Sequence, residues 1–153
     1  MSMPSRRAIV GFLALAPAGL VLARPARAAE PRVFQPGGVA IHGMDPVAYR
    51  AEQGPVPGDP AITQDWDGAE WRFATEANRA AFAADPARHA PAFGGYCAFA
   101  ASRGYLAPTI PEAWSIHEGR LFLNASLRAR RLWEAELPGV IAAGEANWPA
   151  ILG

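Results

Sequence analysis

The sequence contains no lysine, a single cysteine (Cys97) and three histidines, and only 18% of its 153 residues are charged. Without lysine, all side-chain cations apart from histidine are arginines, 14 of them, matched by 14 acids, so the formal net charge is zero. A nucleic-acid binder needs a basic face, and this balance argues against one. One cysteine excludes an intramolecular disulfide. Length makes a disulfide unnecessary, because a chain of about 150 residues buries roughly two-thirds of its unfolded surface. The main apolar stretch, Ala8 to Ala23, has 16 residues and is interrupted by Pro17, short of the ~20 that a spanning helix requires. A permanent membrane anchor is therefore not expected. Apolar residues make up 51% of the chain, which argues against disorder and leaves room for one globular domain.

What is present begins with an export address. Ser5-Arg6-Arg7 leads into the apolar stretch, which ends at Ala26-Arg27-Ala28, an A-x-A cleavage pattern. The arginine pair, with Arg24 and Arg27 after the apolar stretch, resembles a bacterial twin-arginine signal; the alternative is a general secretory signal that happens to contain two arginines. Residues 1–28 are read as the leader and 29–153 as the exported, periplasmic domain. Cleavage leaves 125 residues of the 153, with ten arginines against 14 acids and so a charge near −4. No charge run marks a membrane or polyanion partner.

Turn chemistry organises the mature chain. Asp67-Gly68 lies between Ile62–Trp66 and Ala69–Phe73, and Glu118-Gly119 between Ala113–His117 and Arg120–Asn124. Both predict two-residue hairpins. A further strand is expected at Gly38–His42. Asp45-Pro46 opens a short helix through Tyr49 with Asp45 as its cap. Thr75 caps a helix to Ala84 that buries Phe82 and stops at Asp85-Pro86, with residues 86–91 a rigid connector. A helix is predicted from Gly95-Tyr96-Cys97 to Gly104, another from Leu127 to Leu137 behind Ser126, and a last one over Val140–Ala146. Hairpins with helices between them predict an α+β fold, a small single domain with an antiparallel sheet built from hairpins and short helices packed on it.

Candidate chemistry centres on Cys97, in Phe93-Gly94-Gly95-Tyr96-Cys97-Ala98. At a helix start its thiol would be drawn toward thiolate, the form that binds metal or attacks; the alternative is a small buried core residue. His42, His89 and His117 show no local ligand spacing to one another or to Cys97, so the fold would have to assemble any site. Cys97 with His42, Met44 and His89 would make a soft nitrogen–sulfur set suited to copper(I) or zinc(II). His117, beside a turn, is read as a solvated side chain. Five tryptophans offer either an aromatic platform or core, and their spacing favours core.

Together these segments resemble the YHS-domain family, in its exported stand-alone form. The resemblance runs from about Gly38 to Pro149. It rests on Gly43-Met44-Asp45-Pro46-Val47-Ala48-Tyr49, on Phe73-Ala74-Thr75 through Asn78 to Phe82, and on Pro91 to Ala98. Gly119-Arg120-Leu121-Phe122-Leu123-Asn124 and Asn147-Trp148-Pro149 extend it. It implies a suspected metal-binding module, of a kind found also on copper-transporting pumps and some hydroxylases. Metal-type members carry cysteine directly after the Phe and again four residues on, where this chain has Ala74 and Asn78. The family often has Tyr where Met44 and His89 stand. Asp45, Tyr49, Gly94, Gly95 and Tyr96 are the further motif residues.

Three functions follow as expectations. The sharpest is an exported module binding a soft metal, copper or zinc, through Cys97. A second is a thiol enzyme with Cys97 as nucleophile, partnered by Asp45 or a histidine. The third is a non-catalytic accessory or interaction domain in which Cys97 is structural. A metal ion or small ligand is the expected partner; a protein partner is left open.

Overall fold

Positive φ at Asp67 and Gly68 (50° and 79°), and at Glu118 and Gly119 (49° and 76°), gives each pair the left-handed geometry of a tight hairpin turn. In the computed structural model, which describes residues 25–153, these turns fold β1 (Asp59–Trp66) onto β2 (Ala69–Phe73) and β3 (Trp114–His117) onto β4 (Arg120–Leu123). Both pairs are antiparallel, with Trp66 opposite Ala69 and His117 opposite Arg120. The hairpins remain two separate two-stranded sheets rather than one. With short helices around them the architecture is α+β in a single small domain. The arginine pair and apolar stretch of the expected leader lie outside the described residues; the Ala26-Arg27-Ala28 stretch is exposed and irregular. Among the described residues no helix is long and apolar enough to cross a membrane.

Side-chain caps start the helices where the sequence places them. Thr75 Oγ1 accepts from the Asn78 amide (3.1 Å) and opens α2 (Glu76–Ala84), as Ser126 Oγ accepts from the Ala129 amide (3.0 Å) and opens the helix at Leu127–Ala135. Asp85 ends α2 and at once caps α3 (Pro86–His89), accepting from the Arg88 amide at 3.3 Å with Pro86 in the first helical position. The expected connector is therefore a helix, because Asp-Pro serves as stop and start together. The helix expected from Gly95 is shorter: α4 spans Ala98–Ser102, because Gly95 sits at φ 85° and cannot join it. Downstream, α5 (Leu127–Ala135) ends two residues before Leu137, and α6 covers Gly139–Asn147. Upstream, α1 is the single turn Ala48–Ala51.

The strand expected at Gly38–His42 is corrected. Ala40–Gly43 is a 3-10 turn with Ile41 and His42 at φ 43° and 59°, and one bridge between Val39 and Glu70 is all the pairing that remains. Ala92–Gly95 repeats the same turn, with Phe93 and Gly94 at φ 55° and 61°. The two turns pack together, since a Cβ on Gly95 would stand 2.6 Å from Ile41 Cγ2. The alternation of Val39 and Ile41 thus reflects burial of Ile41 and not a strand.

Two apolar clusters form the core. The first gathers Val33, Ile41, Tyr49, Trp71, Phe73, Phe82, Leu121 and Leu123; the second gathers Phe93, Ala98, Ala101, Phe122, Trp133 and Val140. Burying each large side chain contributes roughly 1.5–3 kcal/mol. β4 divides the clusters, sending Leu121 and Leu123 to one and Phe122 to the other. Trp71 and Trp133 are core, as expected, whereas Trp66, Trp114 and Trp148 are half-buried.

Candidate functional site

Asp45 is fully buried and every lone-pair direction on its carboxylate is used. Oδ1 accepts from the amides of Val47 (2.8 Å) and Ala48 (3.2 Å), and so caps α1. Oδ2 accepts from the Ala74 amide (2.8 Å) and from Asn78 Nδ2 (2.7 Å), and so ties α1 to the end of β2 and to α2. Asp45 is the expected cap and also a hub. Tyr49, on the turn it caps, is buried and donates its hydroxyl to Pro111 O at 3.3 Å. Burial, with Glu112 nearby, pushes its phenol well above the ordinary value.

The Gly-Gly-Tyr part of the cysteine motif receives the N-terminal segment. The Phe34 amide donates to Gly94 O (2.9 Å), and Tyr96 Oη–H donates to Pro31 O (2.9 Å). A Cβ on Gly94 would stand 1.8 Å from Arg32 O, so only glycine lets the two backbones cross. Burial, then Glu30, raises the Tyr96 phenol.

Cys97 is 2% exposed and caps α4. The Ala100 amide donates to its Sγ at 3.4 Å, and its S–H donates to Asn124 Oδ1 at 3.5 Å. The same Oδ1 accepts from the Phe99 amide at 3.0 Å. Asn124 thus joins the end of β4 to α4 across 27 residues of sequence, and no spacing signals that contact.

The other expected ligands lie apart in their bonding. His42 is exposed; its Nε2 lies 2.7 Å from Thr109 O, and because a carbonyl only accepts, Nε2 carries the proton. Its ring meets Phe34 edge-on at 5.2 Å. Met44 packs against the first core cluster. His89, at the end of α3, buries Nδ1 without a partner among the described residues. Burial, then Arg50 and Arg88, lower its pKa, partly offset by Asp85 and Asp45. His117 is half-buried on β3 rather than solvated. Among the described residues, no three or more His, Cys, Asp or Glu side chains gather as metal ligands.

No family model matches the chain, and neither the curated proteins nor the solved structures give a match.

The metal suggested by resemblance does not fit the residues present. At the two positions where metal-type members carry cysteine, the Ala74 amide and Asn78 Nδ2 both donate to Asp45 Oδ2. That corner offers a saturated carboxylate oxygen and no thiolate to a soft cation. Arg50, absent from the sequence reading, binds nearby: its Nε donates to Gly119 O (2.9 Å) and its Nη2 to Arg88 O (2.8 Å), fastening α1 to α3 and to the β3–β4 turn. Its Nη1 is buried without a partner among the described residues. Burial, then the neighbouring Arg88 charge, lower its pKa. A cavity of about 700 Å³ opens beside Tyr96, between the N-terminal segment and residues 104–108. A second, of about 330 Å³, lies between the two hairpin tips.

Proposed function

We propose that the chain is an exported, non-catalytic binding module of the YHS type in which Cys97 is structural. The single observation supporting this is the bonding of Cys97: a buried thiol whose sulfur accepts from Ala100 and donates to Asn124. A nucleophile needs a path to its substrate and a thiol it can deprotonate; at 2% exposure, with its proton held on Asn124 and its sulfur capping α4, Cys97 is placed for structure instead. Export rests on the arginine pair, the apolar stretch and the A-x-A pattern.

The test reads the thiol directly. Iodoacetamide is added to the purified native protein and to a denatured sample, while elemental analysis is run on wild type and Cys97→Ala. The expected result is a native thiol that reacts only through unfolding, with no metal that depends on Cys97. Cys97→Ser, which keeps a cap oxygen, should fold like wild type. Rapid native alkylation would overturn the structural role in favour of a thiol enzyme. Near-stoichiometric copper or zinc lost in Cys97→Ala would overturn it in favour of the soft-metal module.

A further inference from the structure

The cavity between the hairpin tips gathers arginines and aromatic rings. Three arginines from three separate segments line it: Arg32 from the N-terminal crossing, Arg88 from α3 and Arg120 from β4. Asp67 is the only acid among the described residues of its wall. Arg32 pairs with that aspartate at 3.4 Å, and Arg120 with Glu145 outside the wall at 2.7 Å. Arg88 has no ion-pair partner among the described residues. Its charge also adds to that of Arg50, which grips the Arg88 carbonyl. The cavity is therefore cationic in a mature chain that carries about four more acids than arginines.

The uncharged part of the wall includes four aromatic rings, Trp66, Trp71, Phe93 and Trp148, among small and aliphatic residues. Trp66 and Trp148 are half-buried there. Each is packed against other rings, Trp66 against Phe82 at 5.7 Å and Trp148 against Phe93 at 6.0 Å between centroids. Rings held on one side by the core and reaching a cavity on the other are preorganised surfaces for a flat ligand. Guanidinium forks match carboxylates in geometry as well as charge. A volume of about 330 Å³ suits one or two fused rings.

We infer that this cavity is a binding site for a small aromatic carboxylate, with Trp66 and Trp148 against the ring and Arg88 on the carboxylate. The inference deepens the binding-module reading and rests on it.

The test titrates 2-naphthoate, and its uncharged counterpart 2-naphthylmethanol, into the purified 15N-labelled protein while the tryptophan indole N–H signals are followed. Two of the five indole signals, assigned by Trp66→Phe and Trp148→Phe, should move with naphthoate and not with the alcohol. Arg88→Gln should weaken binding about tenfold or more, because it removes a charge-assisted bond. The Arg88 side chain bonds to no described residue, so the variant should keep the fold. Arg128→Gln, exposed on α5 and away from the cavity, should bind like wild type. Indoles that stay fixed at about 10 mM naphthoate, a thousandfold above a tight site, would overturn the site. So would equal binding of the alcohol, or an unchanged affinity in Arg88→Gln. The thiol test reads a different part of the molecule. A failed titration with a protected thiol therefore removes this cavity alone, and a reactive thiol with naphthoate bound removes the structural role of Cys97 alone.

Discussion

Replacing Asp45 by alanine should be among the most damaging single changes in this protein. Four donors lose their acceptor at once: the Val47 and Ala48 amides, the Ala74 amide and Asn78 Nδ2. Loss of the cap at α1 costs about 1 kcal/mol. A donor left unpaired costs about 1–3 kcal/mol when buried; Ala74 N and Asn78 Nδ2 are part-buried and have no alternative acceptor among the described bonds, so about 1.5 kcal/mol each applies. The total is about 4 kcal/mol, against the 5–15 kcal/mol (roughly) that holds a domain of this size together. Urea unfolding followed by tryptophan fluorescence is the assay. With a slope of about 1.5 kcal/mol/M, the midpoint should fall by about 2.5 M. Asn78→Ala, which removes one bond of the four, should cost about 1–2 kcal/mol. The double variant should cost less than the two singles added, because they share a bond. An Asp45→Ala protein within about 1 kcal/mol of wild type, at unchanged slope, would refute the hub. If Asp45→Ala does not fold, the Asn78→Ala value still decides.

Other perturbations test other parts. Gly94→Ala pushes a Cβ to 1.8 Å from Arg32 O at φ 61°, and should cost about 3 kcal/mol and strip hydrogen-exchange protection from the Phe34 amide. Cys97→Ala should lose about 1 kcal/mol as a missing cap, and Cys97→Ser much less, as read by thermal melting. His89 has a lowered pKa, chiefly from burial and then from Arg50 and Arg88, so the unfolded chain takes up its proton first. Its contribution is complete above the ordinary value of 6.5 and is lost as pH falls below it. Denaturant midpoints at descending pH should therefore decline less in His89→Gln than in wild type. Glu134 behaves as a carboxylate held low: burial raises it, but Ser115 and Arg130 outweigh that. Its contribution should persist above the ordinary 4.5 and disappear in stronger acid, and Ser115→Ala should reduce that acid sensitivity.

The local grammar of the fold was legible where one residue type has one use. Asp67-Gly68 and Glu118-Gly119 adopt the positive φ that their hairpins require, and Thr75 and Ser126 accept the amide three residues on. Reading failed where one signal has two uses. Asp85-Pro86 ends a helix, but the same pair is also a helix start, and α3 was missed for that reason. Gly38–His42 has the alternation of a strand, yet Ile41 and His42 take left-handed backbone that β-branched residues seldom adopt. Nothing local announces such a conformation; it is imposed by packing against Gly95. The site was less legible still. Asp45 was recognisable as a cap, but its bonds to Ala74 and Asn78 span about 30 residues. Asn124 acts across 27 residues and Arg50 across 69, and a single sequence carries no periodicity for those.

β4 carries a consequence for how the chain can go wrong. In most two-stranded ribbons a slip of one residue exchanges apolar for polar side chains, and that mismatch corrects it. Here Leu121, Phe122 and Leu123 are all buried, on both sides of the strand. A slipped β4 would present leucines to the Trp133 pocket and phenylalanine to the Tyr49 pocket, and the one buried polar side chain it would misplace is Asn124 at its end, which bonds Cys97 and Phe99. Within the strand only ring and aliphatic volumes distinguish the two registers; the Asn124 bonds at one end and the Glu118-Gly119 turn at the other count the residues. Proofreading of this hairpin therefore falls to its two ends and to side-chain volume, and a longer or looser turn would remove one of those ends.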